Sequence, residues 1–276
     1  MSDPNPFENI EKPVAPTAQN NPFQAPTAHV DDARTAGSSA LLNEPAGLDA
    51  GRGSAWWSEG WSLFREATGV WIGIVIVGFI VTLVSNLIPL VGPFIAYLFT
   101  PVLVGGLMLG CRSLERGEGM TFNHLFAGFQ KNFGQLALVG LFYMIGMLAI
   151  ALIILATAFG GGMGALFMGD DFNPVAAFST IMIGTLLGAA LGVPLAMAVW
   201  FAPALVMLND MEALPAMKLS FLGCWRNIMP FLVYGLIGIV LAFVATLPIL
   251  LGWLLLAPTM VAATYIAYRE IFLVRQ

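Results

Sequence analysis

Long apolar runs separated by short polar segments dominate the chain from about residue 70 onward. A helix that crosses a bilayer needs about 20 mostly apolar residues. Backbone groups in hydrocarbon must form their hydrogen bonds within the segment, which favours α-helices for runs of this length. The pattern therefore predicts an all-α integral membrane protein. It has six transmembrane helices, at about 70–87, 91–111, 136–158, 178–207, 229–247 and 251–268.

A short proline motif recurs in the second helix of each predicted hairpin. It reads Phe-Thr-Pro-Val-Leu-Val at 99–104, Phe-Ala-Pro-Ala-Leu-Val at 201–206 and Leu-Ala-Pro-Thr-Met-Val at 256–261. A segment with a glycine and a base precedes each hairpin, and two of these segments end in a base followed by asparagine, Lys131-Asn132 and Arg226-Asn227. We interpret the membrane region as three parallel pseudo-repeated hairpins.

The segments before the hairpins have helical periodicity. Phe122, Leu125, Phe126, Phe129 and Phe133 follow the spacing i, i+3, i+4, i+7, i+11, which places them on one helical face. Similar stripes occupy 57–64 and 214–228. Each hairpin is thus predicted to follow an interfacial amphipathic helix, with its aromatic face among acyl chains and its bases near headgroups.

The N-terminal 54 residues have a different composition, rich in Pro, Ala, Asn, Gly and Ser. Such a segment cannot bury a core, so residues 1–54 are predicted to be a disordered cytoplasmic tail and 55–276 the six-helix domain. The triplet Asn-Pro-Phe occurs at 5–7 and 21–23 within this tail. Two interpretations stay open for it, a low-complexity tether and a segment that docks a protein partner.

Composition excludes a soluble globular protein, because charged residues make up 10% of the chain against roughly 25% in an average soluble domain. The net charge of −5 arises within residues 1–69, which hold nine acids and four bases, while 70–276 hold seven of each. The low pI therefore describes the tail, and no basic surface for nucleic acid is predicted.

The basic residues give the orientation. All eleven Lys and Arg residues fall in 1–69, 112–135, 208–228 or 269–276, whereas the loop at 159–177 carries Asp170 and Asp171 and no base. Basic loops are retained on the cytoplasmic side. The N- and C-termini are both predicted to be cytoplasmic.

The apolar runs hold no ionisable residue in their interiors, and the two histidines, His29 and His124, lie outside them. Metal-dependent chemistry in the membrane would need a ligand cluster there. The sequence predicts no enzyme, no cofactor and no metal site. Cys111 and Cys224 lie at the reducing inner boundary, where a disulfide is not expected.

Two sets of residues are candidates for function. A proline inside a helix frees the carbonyl four residues earlier, and such carbonyls line substrate sites in some transporters; the alternative is that the kinks only aid helix packing. The bases at the inner boundary could contact lipid headgroups or merely set topology. The prolines are Pro101, Pro194, Pro203 and Pro258, and the bases are Arg65, Arg112, Lys131, Arg226 and Arg269.

Several stretches carry a family resemblance between about Gly60 and Phe272. They include Gly-Gly-Leu-Met-Leu-Gly-Cys-Arg at 105–112, His-Leu-Phe-Ala-Gly-Phe at 124–129, Trp-Phe-Ala-Pro-Ala-Leu at 200–205 and Pro-Phe-Leu-Val-Tyr-Gly-Leu at 230–236. The chain resembles an uncharacterised group of proteobacterial inner-membrane proteins with about six helices. The resemblance implies the fold and a bacterial inner-membrane location, and it brings no established activity.

The sequence thus predicts a non-enzymatic inner-membrane protein that acts through lipid headgroups or a protein partner. The competing hypothesis is a permease for a small solute or a lipid that uses the proline-kinked helices. Membrane lipids are the expected partners, and a protein bound by the tail is the alternative to a plain tether. The sequence sets no oligomeric state.

Overall fold

The computed structural model of the protein describes residues 40–87, 91–159 and 173–274, all within one compact unit, Ser39–Gln276. These residues are almost wholly helical. The elements are α1 (Arg52–Glu66), α2 (Thr68–Asn86), α3 (Val91–Glu115), a 3₁₀ helix η1 (Phe122–Phe126), α4 (Ala127–Gln130), α5 (Phe133–Ala158), α6 (Pro174–Trp200), α7 (Ala202–Asn209), α8 (Ala213–Arg226), α9 (Ile228–Thr246) and α10 (Trp253–Phe272).

A helix lies at each of the six predicted positions, but not all of these helices are long and apolar enough to cross a membrane by themselves. Four stretches are long and apolar enough to cross a membrane, and α1 with α2, bent by 98°, would make a fifth if counted as one broken span. Helix α10 is not among them, since its last turn carries Arg269 and Glu270. The four stretches are Tyr97–Glu115, Phe133–Ala158, Pro174–Asn209 and Ile228–Thr246.

Local sequence explains where helix α6 begins. The side chain of Asn173 accepts hydrogen bonds from the backbone nitrogens of Val175, at 3.0 Å, and Ala176, at 3.2 Å. Pro174 is the first helical residue, a position where no backbone donor is needed. These features begin the helix at 174.

The predicted helix 178–207 is broken at Phe201. In a continuous helix the Phe201 amide would donate to the Met197 carbonyl. Instead, the Ser220 hydroxyl of α8 accepts from the Phe201 nitrogen at 2.9 Å and donates to the Met197 carbonyl at 2.7 Å. A side chain inserted into the helical ladder is a known cause of sharp kinks. Pro203 consequently lies in the first turn of α7, directly after this break.

The three segments predicted as amphipathic helices are helical, and each directly precedes a long apolar helix. Helix α1 differs from the expectation, because its stripe packs mostly against protein. The Trp57 ring stacks on Tyr234 of α9 at 4.7 Å between centroids, and a Cβ on Gly60 would lie 2.7 Å from the Ala263 nitrogen of α10. Phe64 is also buried, while Trp61 stays 41% exposed.

Residues 40–51, here called the strap, fold back onto the end of α10. The Leu42 amide donates to the Phe272 carbonyl at 2.8 Å, and the Ala46 amide to the Ile271 carbonyl at 2.7 Å. An antiparallel bridge joins Leu41 and Leu273. The prediction of disorder is therefore wrong for 40–54, because the last carbonyls of a helix need partners and the strap supplies them. Residues 1–39, with both Asn-Pro-Phe triplets, lie outside the described residues.

The core lies toward the end of the bundle where α3, α7 and α10 terminate. Its members are less than 2% exposed there, and they include Cys111, Leu205, Met207, Tyr268 and Ile271. The opposite half leaves apolar side chains bare, and only 17% of the apolar stretch of α5 and of α9 is buried. Helices that are apolar on all sides and exposed are typical of membrane spans.

Candidate functional site at the basic end

Five of the eight described bases gather where α3, α7 and α10 terminate, here called the basic end. Contacts with these three termini, or with the strap against α10, hold Arg52, Arg112, Lys131, Arg226 and Arg269. These five bases, which the sequence assigns to one side of the membrane, thus lie at one end of the helices.

A charged network joins α1, α3 and α10 at this end. Arg52 donates to Glu270, at 2.9 Å from Nε to Oε2, and to Glu59 at 2.6 Å. The Trp56 indole donates to the same Glu270 oxygen at 2.9 Å. Arg269 pairs with Glu115, which also accepts from the Tyr265 hydroxyl. Arg52 thus ties α1 to the end of α10, and Arg269 ties the end of α10 to the end of α3.

The strap, α1 and the end of α10 enclose an open polar cavity of about 910 Å³ beside this network. Asp49, Arg52, Glu59 and Glu270 supply its charged lining. Three of these four side chains, Arg52, Glu59 and Glu270, are already paired with one another. Within the described part of the chain, no group of three His, Cys, Asp or Glu residues could hold a metal ion.

Three side chains complete the end of α7. Arg112 donates to the Leu208 carbonyl at 3.3 Å, Lys131 to the Met207 carbonyl at 3.4 Å, and Asn132 to the Val206 carbonyl at 2.8 Å. The last carbonyls of a helix have no partners within it, and cations there also interact favourably with the helix dipole. Arg112 and Lys131 therefore have a structural task.

Asp210 closes the same cluster in the left-handed backbone conformation, with φ 54°. Its carboxylate accepts from the Asn132 side chain at 2.7 Å and pairs with Lys131 at 3.0 Å. The hydrogen bond from Asn132, followed by the interactions with Lys131, outweighs partial burial and lowers the pKa of Asp210. The carboxylate is thus held in its charged form.

Arg226 and Asn227 hold the strap. Arg226 donates to the Glu44 carboxylate at 2.8 Å and to the Pro45 carbonyl at 3.1 Å. The fully buried Asn227 donates to the Ala46 carbonyl at 2.8 Å and accepts from the Leu48 amide at 2.9 Å. The junction between α8 and α9 is thereby tied to the N-terminal segment.

The five bases predicted to contact headgroups do not form one ring. Arg112 and Lys131 meet at α7, Arg269 joins the network of Arg52, and Arg226 binds the strap. The Arg65 side chain is exposed and, among the described residues, has no hydrogen-bond or ion-pair partner; only its backbone carbonyl accepts a bond, from the Thr68 hydroxyl. It is the one predicted base whose charge stays open for an external group.

The predicted proline positions lie in different environments. Pro101 and Pro258 are buried inside α3 and α10, and Pro194 lies on an exposed face of α6. The Tyr97 carbonyl, which Pro101 frees, faces Gly140 of α5, where a Cβ would lie 2.8 Å from it. A close helix contact therefore covers this carbonyl, which favours a packing role for the kink.

An apolar groove, here called the α1 groove, runs between α1 and the α9–α10 hairpin. It has a volume of about 490 Å³, and its walls include Trp57 and Trp61 of α1, Val244 of α9 and Leu255 of α10. A smaller apolar groove of about 290 Å³ lies between α6, α8 and α9, beside Trp200 and Ile228. The two grooves open on the surface that the apolar helices present.

One relative connects this architecture with a cellular location. The chain is 30% identical over 207 residues to a probable inner membrane protein of Burkholderia thailandensis, an alignment that covers 71% of this chain and 75% of the relative. The chain belongs to this inner-membrane family. The resemblance seen in the sequence is thereby confirmed, as is the assignment to a membrane. No family model matches the chain, and no solved structure matches it.

In this inner-membrane protein, the roles of three polar side chains that fix helix ends and the strap were not predicted from the sequence. They are Asn132 and Asn227, which fix helix ends and the strap, and Ser220, which breaks α6 from α7. The recurrence of a base followed by asparagine before α5 and α9 was the available signal for the first two. No sequence signal pointed to Ser220, because a single serine on a short helix looks like any serine that faces solvent.

Proposed function

We propose that this inner-membrane protein crosses the membrane six times and works without catalysis through lipid headgroups of the cytoplasmic leaflet. The six crossings are α2, α3, α5, α6 with α7, α9 and α10. Both termini lie in the cytoplasm. Support for the orientation comes from the one-sided bases and from the strap, which places the N-terminal segment against the end of α10.

The aromatic side chains exposed on the short helices carry the proposal. Trp61 of α1, Phe129 of α4 and Trp225 of α8 are 41%, 41% and 61% exposed on short helices that adjoin the long apolar ones. Tryptophan and tyrosine rings favour the level of the headgroups, because one part of the ring is apolar and another donates hydrogen bonds. Trp61 and Trp225 thereby anchor α1 and α8 at the membrane surface, and Phe129 adds an exposed apolar side chain on α4.

Quenching of tryptophan fluorescence tests this placement. The full chain is placed in vesicles whose lipids carry bromine at different depths, and Trp61→Phe and Trp225→Phe are compared with the wild type. Each substitution removes the emission of one tryptophan. We expect that, in the wild type, this emission is quenched more strongly by bromine near the headgroups than by bromine deeper in the bilayer. Equal quenching of these two residues at all depths would contradict the proposal.

Labelling of single cysteines tests the orientation. Lys218→Cys lies on α8 at the basic end, and Asp170→Cys lies in the loop predicted to be outside. An impermeant thiol reagent added to intact cells should label the second variant and spare the first. The native cysteines, Cys111 and Cys224, are buried and provide a low background.

The permease hypothesis is the competing function. The cover that Gly140 provides over the Tyr97 carbonyl weighs against it, because a transport site needs such carbonyls open to the substrate. Under our proposal, purified protein in liposomes gives no saturable uptake of solute. Uptake that disappears with Pro101→Ala and Pro258→Ala would replace our proposal with a permease.

A further inference from the structure

We propose that Arg226 binds the phosphate of an anionic phospholipid, and that Glu44 of the strap occupies this site until the lipid replaces it. The inference rests on the proposed function and deepens it, because it names one headgroup site and the acid that competes for it. The strap thereby makes headgroup binding at this site depend on the anionic lipid content of the leaflet.

The place of Arg226 in the chain puts it at the membrane surface. It is the last residue of α8, and the apolar stretch of α9 begins two residues later, at Ile228. The residue before it, Trp225, is 61% exposed and anchors α8 in the proposal above. Long basic side chains at the ends of membrane helices extend toward the headgroups. The guanidinium of Arg226 is therefore within reach of lipid phosphates.

Strap atoms already supply this guanidinium with acceptors of the kind that a phosphate offers. The Nη1 atom of Arg226 donates to the Glu44 carboxylate at 2.8 Å and to the Pro45 carbonyl at 3.1 Å. Carboxylates and phosphates both present oxygens that match the fork of donors on a guanidinium. An anionic group of the chain itself thus holds the position that a lipid phosphate would take.

The pair between Arg226 and Glu44 is open to exchange. The two side chains are 51% and 76% exposed, and exposed ion pairs contribute little to stability because water and salt screen them. Arg52 differs, because its partner Glu270 is only 11% exposed and also accepts a hydrogen bond from Trp56. Arg226 therefore exchanges its acid more readily than Arg52 does.

The charge of the leaflet favours the exchange. Residues 40–51 carry two acids, Glu44 and Asp49, and no base. The negative potential of an anionic leaflet attracts bases and repels acids near its surface. It therefore stabilises the contact between Arg226 and a phosphate, and it disfavours Glu44 in the same place. A zwitterionic leaflet lacks this potential, so there the pair with Glu44 persists.

The strap stays attached while Glu44 leaves. Asn227 is fully buried and bonds to the Ala46 carbonyl and the Leu48 amide, and neither bond involves Glu44. The Leu42 amide also keeps its bond to the end of α10. The exchange thus moves one acidic side chain and leaves the fold of the basic end intact.

Titration of the full chain in mild detergent with phosphatidylglycerol, read by native mass spectrometry, tests the site. Glu44→Gln removes the competing charge, and Arg226→Gln removes the base. The matched controls are Asp49→Asn, which removes the other acid of the strap, and Lys218→Gln, which removes another exposed base of α8. Thermal unfolding shows whether each variant folds, and Glu44→Gln alone keeps the test decisive if Arg226→Gln does not.

We expect Glu44→Gln to bind phosphatidylglycerol about fivefold more tightly than the wild type, and Arg226→Gln about fivefold more weakly, as for one charge near an anionic group. A chain with both substitutions should bind as weakly as Arg226→Gln alone. The two controls should bind like the wild type. Phosphatidylcholine, which has no net charge, should bind equally to all of them.

Unchanged affinity in Glu44→Gln would overturn the competition, and a gain that persists without Arg226 would overturn the site. Inorganic phosphate replaces the lipid in a second titration. If it binds with the same dependence on Glu44, the site belongs to a soluble phosphate and the lipid assignment is wrong. Any of these failures, with Trp225 still quenched most strongly near the headgroups, would leave the proposed function intact.

Discussion

The same proline motif has opposite outcomes in α7 and α10. Helix α10 continues past Pro258, and the Leu256 amide makes the regular bond to the Gly252 carbonyl at 3.0 Å. At the equivalent residue of the other copy, the Phe201 amide donates to Ser220 instead, and the helix breaks. Proline alone therefore does not decide whether the helix breaks. The break coincides instead with the Ser220 side chain brought by α8.

The C-terminal ends of the two helices also differ. Side chains of Arg112, Lys131 and Asn132 occupy the last carbonyls of α7, whereas backbone amides of the strap occupy those of α10. Both arrangements satisfy orphan carbonyls. The first depends on charge and should respond to acid, and the second depends on the chain folding back. Substitutions at Ser220, Asn227, Asn132 and Asp210 test the break and these two dependencies.

Ser220→Ala should have the largest effect. It leaves the Phe201 amide without its acceptor and removes one donor from the Met197 carbonyl in a fully buried site, at a cost of about 3 kcal/mol of unfolding free energy. Thermal and denaturant unfolding in detergent measure the loss. Thr259→Val, in the same motif of α10, is the control and should change stability by well under half of that. Equal effects would show that Ser220 does not maintain the break.

Asn227→Ala should have the second-largest effect on stability. The buried amide holds the strap through Ala46 and Leu48, and those residues are half-buried, so water can replace part of what is lost. We expect a loss of about 2 kcal/mol, accompanied by faster hydrogen exchange of the Leu42 and Ala46 amides. Unchanged exchange at these two amides would mean that the strap holds to α10 without Asn227.

Substitution of Asn132 should reduce stability less, through a lost hydrogen bond and through backbone strain. The residue has φ 59°, where asparagine and glycine are tolerated better than alanine. Asn132→Ala loses the bond to the Val206 carbonyl and adds backbone strain, for about 1.5 kcal/mol in all. Asn132→Gly loses the same bond without the strain, so it should be destabilised less. The reverse order would rule out strain as a contributor.

Acid should produce the smallest effect, confined to the end of α7. The lowered pKa of Asp210 means that its charge stabilises the fold above the unfolded value near 4, and that this contribution is lost as the pH falls through the folded value. The side chain is 62% exposed, which limits the contribution to below about 1 kcal/mol. Melting temperatures from pH 6 to pH 3 should fall less for Asp210→Asn than for the wild type.

Hydropathy predicted helix positions well because membrane spans are long and apolar. The span predicted at 229–247 is α9 at Ile228–Thr246, and that at 136–158 falls within α5. What the pattern did not show depends on contacts between distant residues. Ser220 acts on Phe201 through α8, and the strap meets α10 across most of the chain. The five predicted bases resemble one another in sequence, and only their partners distinguish Arg65 from the other four.

The closure of the basic end has a consequence for biosynthesis. Arg52 and its partner Glu270 are 218 residues apart, and ribosomes add about 5–20 residues per second. Arg52 is therefore added to the chain roughly 10 to 40 s before Glu270. During that interval the first helices enter the membrane while the strap and the end of α10 cannot yet meet. The contact that fastens the two ends of the fold is made last, so a nascent chain that stalls before α10 leaves this face open to quality-control proteases.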